Sequence, residues 1–361
     1  MLGVVDYDGG AFDITLYDAL RDRAARDAIR RVHLLNEDAA FLSSIISLLT
    51  TPGEGVRSNS VESFILSNDS DTLVNMSDFF THYGFPKLQH LKLHNCIITS
   101  WYLLTSRTTI LTSLTLQFSH PSPAPTTSQL FSILASNPSL RNVSLSRYAV
   151  PTDGGGKSPY RVPLHLLEEL ELTGSSRHVI GLLHQLDHPT NVVLNITLCD
   201  RTDADIPRIV GPYLRDYLRR RYRSQNGLGF SVSRVGRLSM LHIGNVGGID
   251  LSTSVWLQLA PFIVITMDAE QTPRDLLQKG FLDLVPHIPQ DEIVYLRSWG
   301  VAAAMEDMSA KFPKLRALHS GSIPLPTVFP ESNPDGNGGS TLLSNTSVWK
   351  RRLWMVVAGG H

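Results

Sequence analysis

Apolar residues recur along this chain in short phrases of the form L-x-x-L-x-L. The clearest is Phe85-Pro-Lys-Leu88-Gln-His-Leu91-Lys-Leu93-His-Asn-Cys96, which fits L-x-x-L-x-L-x-x-C without a mismatch. Leu88, Leu91 and Leu93 read as the inward residues of a short strand and its approach, with the alternate residues facing out. One such unit cannot bury its own apolar face, so neighbours must stack as a parallel sheet. The same frame returns around Val32, Phe64, Leu114, Val143, Leu170, Leu194, Leu241, Ile265, Leu296 and Leu318. Spacings run from 22 to 32 residues, except for 47 between Leu194 and Leu241. That long interval marks an insertion over about 200–235, with a helical stretch from Asp205 to Arg223.

Proline punctuates the units. Asn137-Pro-Ser-Leu140 and Phe312-Pro-Lys-Leu315 each follow a helix-like segment, Thr126–Ala135 and Val301–Lys311, and proline ends a helix because it cannot continue the hydrogen-bond ladder. Helices are also expected over Phe41–Leu49, and a first strand over Ala11–Leu16. The alternation of helix, proline stop, strand and loop predicts an α/β leucine-rich-repeat solenoid over 11–328, a horseshoe with parallel strands on the concave face and helices outside. Residues 1–10 form an N-terminal segment. Residues 329–361, rich in Ser, Asn, Gly and Asp from Pro330 to Asn345, are expected to be a flexible tail.

Composition narrows the class. Among 361 residues, 42% are hydrophobic, which excludes disorder over the whole chain, and 32 basic against 33 acidic residues leave a net charge of -1. No global field therefore draws nucleic acid or an anionic membrane, and neither is expected as a partner. Two cysteines, no basic and apolar leader, and no run of 18 apolar residues point to a reducing compartment, cytoplasmic or nuclear.

The out-facing strand positions are the candidate contact surface for a protein partner. They are Arg31, His33, Ser63, Ile65, His90, Lys92 and His94 early in the chain, and Ser113, Thr115, Gln117, Asn142, Ser144, Glu169 and Glu171 in the middle. His242, Thr266, Tyr295, Arg297, Trp299 and His319 follow. Trp, Tyr and Arg are enriched in binding hot spots, which makes Tyr295, Arg297 and Trp299 the sharpest candidates. The alternative is that Trp299 packs beneath the next helix while Arg297 merely solvates the face. A solvated sheet face is likewise the plainer reading of His90, Lys92, Glu169 and Glu171.

Catalytic motifs fail their tests. Asp153-Gly-Gly-Gly-Lys157-Ser158 lacks the first glycine of a phosphate loop, since Pro151 stands there. His184 and His188 have i, i+4 spacing but no intervening Glu, and Pro189 follows, so helix-end and surface histidines are expected. Cys96 and Cys199 each lie five residues past a unit's middle leucine and read as two buried structural thiols. Arg219–Arg223 is a basic helix end. No Ser/His/Asp order stands out, so neither an enzyme nor a cofactor or metal site is expected.

With its repeats and its opening order of Ala11-Phe-Asp-Ile-Thr-Leu16, Ile29-Arg-Arg-Val-His-Leu34 and the Phe41–Leu49 helix, the chain resembles the F-box/leucine-rich-repeat proteins of the divergent fungal type. The resemblance runs from about residue 11 to 328. It implies substrate recognition for an F-box-type (SCF) ubiquitin ligase. The F-box itself, a helical segment opening Leu-Pro-x-Glu and ending near Cys-x-x-Trp, is not matched, so only the substrate-receptor half is supported. A Skp-type adaptor and a cullin are expected partners only where an F-box precedes this chain. A scaffold of the same repeats with no ligase role is the alternative.

Overall fold

The computed structural model describes residues 5–8, 30–36, 38–50, 61–70, 72–82, 85–107, 110–120, 124–152, 161–199, 206–221, 228–235, 238–246, 259–268, 283–299, 312–314, 317–320 and 327–328. Fourteen strands among them form one sheet. They are β1 (Val5–Asp8), β2 (Arg31–Asn36), β3 (Ser63–Asn68), β4 (His90–His94), β5 (Ser113–Phe118), β6 (Asn142–Arg147) and β7 (Glu169–Gly174), then β8 (Val193–Leu198), β9 (Leu228–Val235), β10 (Leu238–Val246), β11 (Leu259–Asp268), β12 (Ile293–Trp299), β13 (Ala317–Ser320) and β14 (Thr327–Val328). The α-helices among the described residues are α1 (Ala39–Thr50), α2 (Ser77–His82), α3 (Leu103–Arg107), α4 (Thr127–Ser136), α5 (Ser176–Gln185) and α6 (Ile206–Arg221). This is an α/β architecture with a mostly parallel sheet. Among the described residues no helix is long and apolar enough to cross a membrane.

From β1 to β8 each strand pairs in parallel with the next in sequence. The register sets Val32, Phe64, Leu91, Leu114, Val143, Leu170 and Leu194 side by side, and all are buried. Period-2 alternation produces this line: apolar side chains leave water on one face and their neighbours stay on the other. The helices supply the opposing wall, with Leu42 and Ile45, Phe79 and Phe80, Leu130 and Ile133, and Val179 and Leu183 in the same core. Phe79 stacks on Phe85 at 4.8 Å between ring centroids and tilts against Phe64 at 4.5 Å, filling the space between helix and sheet. A capping box starts α4: the Thr126 hydroxyl accepts from Gln129 N–H, and the Gln129 side chain accepts from Thr126 N–H.

Buried asparagines close the early strand ends. Asn68 donates to the carbonyls of Thr72 (2.7 Å) and Asn95 (3.0 Å), while Asn95 donates back to Asn68 O and accepts from Ser119 N–H. Asn95 has φ 51°, a left-handed conformation that asparagine tolerates better than most residues. Asn137 acts at a helix end instead: it follows α4 and donates its side-chain amide to Ile133 O. These side chains satisfy backbone groups that a turn would otherwise bury unpaired.

Beyond β8 the order departs from the expected simple succession, running β8-β11-β10-β9-β12-β13-β14. β10, which carries Leu238-x-x-Leu241-x-Ile243, is antiparallel to both its neighbours. β9 falls inside the expected insertion, yet it is a full member of the sheet and runs parallel to β12. A period-2 pattern specifies which face is buried but not the direction of the strand, so the same apolar phrase served a reversed one. Only Gly236 and Arg237 separate β9 from β10, and a two-residue link containing glycine is the short-range hairpin signal. Ile263 rather than Ile265 stands beside Leu194. The first described strand is Val5–Asp8. The expected strand over Ala11–Leu16, the helix over Val301–Lys311 and the tail over 329–361 lie outside the described residues.

Candidate functional site

The sheet face turned away from the helices carries the candidate residues, and the strand register determines which of them meet. One line runs His33, Ile65, Lys92, Thr115, Ser144, Glu171, Asn195 from β2 to β8. It continues through Val264, His242, Ser231 and Arg297 across β11, β10, β9 and β12. Lys92, Glu171, His242 and Arg297, scattered over 206 positions of sequence, thus share one register line. A second line, one pleat earlier, joins Arg31, Ser63, His90, Ser113, Asn142 and Glu169. Trp299 is paired in register with Ser233 of β9. The side chains of His242, Arg297 and Trp299 fall outside the described ones.

Two expected outward residues are buried. Tyr295 is buried at 4% exposure, as are Ile293, Val294 and Leu296 around it. Four consecutive buried residues mark a strand covered on both faces, and a register shift beside Leu228 and Gly229 interrupts the alternation on which the outward assignment rested. Ser63 is also buried, with its hydroxyl 3.3 Å from His33 Nε2.

Hydrogen bonds between strands order the middle of the face. Glu169 accepts from the Asn195 amide at 2.9 Å, and Glu171 accepts from the Ser144 hydroxyl at 2.7 Å. Both carboxylates stay exposed and have no cation partner among the described residues. Charges at the strand entries differ: Arg30 pairs with Glu62 at 3.0 Å and Arg141 pairs with Glu168.

His94 is half-buried, its Nδ1 3.0 Å from Asp69 Oδ1 and 3.1 Å from Ser67 Oγ. Burial pulls its pKa below the usual imidazole value, against the opposing pull of Asp69. Serine and aspartate both address the same ring nitrogen, so the trio is not a relay in which aspartate orients one nitrogen and the other activates serine. This cluster was not legible in the sequence because Ser67 lies in β3, Asp69 just beyond it and His94 at the end of β4.

His188 is buried, contrary to the expected surface position, because α5 ends at Gln185 and α6 closes over it. Its Nδ1 lies 3.0 Å from Pro189 O, a group that only accepts, so Nδ1 carries the proton. The Tyr213 hydroxyl, 3.1 Å from Nε2, then donates to the neutral ring. Burial lowers the His188 pKa and raises that of Tyr213. His184 is exposed, edge-on to the Tyr213 ring. The two histidines therefore do not converge on a metal position.

Cys96 is buried, and burial pushes its thiol pKa far up. Cys199 is exposed, which overturns the expected equivalence. Cys96 begins a two-residue strand, Cys96–Ile97, paired with Val74–Asn75, and that second ribbon carries it inward. Among the described residues no such ribbon includes Cys199. Among the described residues no group of three His, Cys, Asp or Glu side chains could hold a metal ion. The glycine-rich loop 153–158 lies outside them. No family model, curated protein or solved structure matches this chain.

Proposed function

We propose that the chain is a leucine-rich-repeat solenoid that serves as a protein-interaction module, and that the module recognises substrates for an F-box-type ubiquitin ligase. The observation that carries the binding reading is the in-register polar face from β2 to β8, whose Glu169 and Glu171 are held by neutral neighbours and, among the described residues, left without a cation. A rigid sheet presents such groups at fixed spacing, which lowers the entropy cost of docking. The ligase link rests on the resemblance of the repeats alone, which is an argument by analogy. A scaffold with no ligase role is the other reading.

The binding reading is tested by placing arginine at Thr115 and Ser144, which lie next to each other at the centre of the face. Both positions are half-buried and Ser144 bonds Glu171, so each variant's melting temperature is matched to the native chain's before its profile is read. Partners cross-linked to the native chain in its own cells are lost from the variants. A cross-linking profile unchanged by either variant removes this face as the binding site. Co-purification of a Skp-type adaptor and a cullin with the native gene product favours the ligase reading over the scaffold.

A further inference from the structure

Along the two register lines of this face the charges are segregated, with Asp69 and Arg147 lying beyond the lines near His94. Arg31, His90 and Lys92 occupy β2 and β4, Glu169 and Glu171 occupy β7, and the register positions between them on β5 and β6 are Ser113, Thr115, Asn142 and Ser144. Lys92 and Glu171 are on one register line three strand spacings apart, about 14 Å at ~4.8 Å per spacing. That exceeds the Debye length of about 8 Å at physiological salt, so the two ends do not neutralise each other. The intervening residues offer hydrogen bonds but no charge.

Resting on the binding reading above, we propose that the partner segment taken by this face is dipolar: an extended peptide carrying acidic side chains over Arg31, His90 and Lys92 and basic side chains over Glu169 and Glu171. At about 3.3 Å per extended residue, its charged blocks are separated by about four residues. Nucleic acid and anionic membrane fit poorly, since either brings negative charge over the two glutamates as well as over the lysine. Single exposed ion pairs contribute little, so complementarity at both ends sets which segment is accepted and how fast it associates. The Asn195 and Ser144 hydrogen bonds hold Glu169 and Glu171 in place before a cation arrives.

The test uses four labelled synthetic peptides: Asp-Asp and Arg-Arg separated by four Ser or Thr residues, the same blocks without the spacer, an all-acidic peptide and an all-basic one. Fluorescence anisotropy is read with the full chain at low and physiological salt. The spaced peptide binds most tightly, and Lys92→Glu and Glu171→Lys each weaken it about fivefold, with thermal stability unchanged. The proposal is overturned if the spaced peptide binds no better than the all-acidic one, or if Glu171→Lys leaves its affinity unchanged. Arginine at Thr115 abolishing partner cross-linking while both charge reversals have no effect on peptide or partner sinks the dipolar segment and leaves the binding face standing. If the arginine variants also change nothing, both readings fall.

Discussion

Two side chains of one type can have opposite environments even when sequence puts them at the same repeat position, and the cysteines demonstrate this. Cys96 is drawn inward by the Cys96–Ile97 ribbon, whereas Cys199 follows β8 into an exposed position. An aromatic disulfide reagent should therefore titrate one thiol in the native protein and two in denaturant; two in the native state would place Cys96 at the surface. His188 carries a pH dependence whose sign follows from its surroundings. Its folded pKa lies below 6.5, chiefly through burial, with Arg220 and Arg161 lowering it further and Asp187 and the Pro189 carbonyl raising it. The unfolded chain thus takes up the proton first. Stability is complete above about pH 6.5 and is lost as pH falls from there toward the folded value. Melting temperatures of the His188→Asn variant should change less than wild type between pH 7 and 5; equal slopes would mean the ring is not shielded.

At the scale of elements, apolar pairs announced most of what formed. β4 to β8 coincide with the triplets ending in Leu93, Leu116, Leu145, Leu172 and Ile196, and α1 and α4 coincide with apolar runs bounded by polar ends or proline. What escaped was how elements approach one another. Gly211 lies in α6, where alanine ordinarily gains about 1 kcal/mol over glycine. Here a Cβ would come within 2.6 Å of His287 Cγ, so the ring must move. Gly211→Ala should lower the urea midpoint, and adding His287→Ala should recover part of that loss; a stabilised single variant would refute the close approach. Nothing in the sequence near Gly211 announces a histidine 76 residues later.

For the whole molecule, one apolar core connects Val32 at one end to Phe312 at the other and includes Leu114 and Leu241 from the parallel and reversed parts of the sheet. Leu114→Ala and Leu241→Ala should each cost about 2–5 kcal/mol and shift one common unfolding transition. Two separated transitions would divide the core at β8. The sequence by itself determined the buried face of β2 to β8, the α/β alternation and the mostly polar identity of the opposite face there, because these follow from side-chain period and from what water tolerates at each position. Direction, spatial order and coverage were decided by the tertiary structure. Whether β10 runs backward between β9 and β11 and whether Tyr295 is covered depend on contacts between residues far apart in the chain, as does the alignment of Lys92 with Glu171 on one line. A local pattern is indifferent to direction and alignment, since each alternative buries the same residues of the strand, and it cannot report a second layer laid over Tyr295 by distant residues.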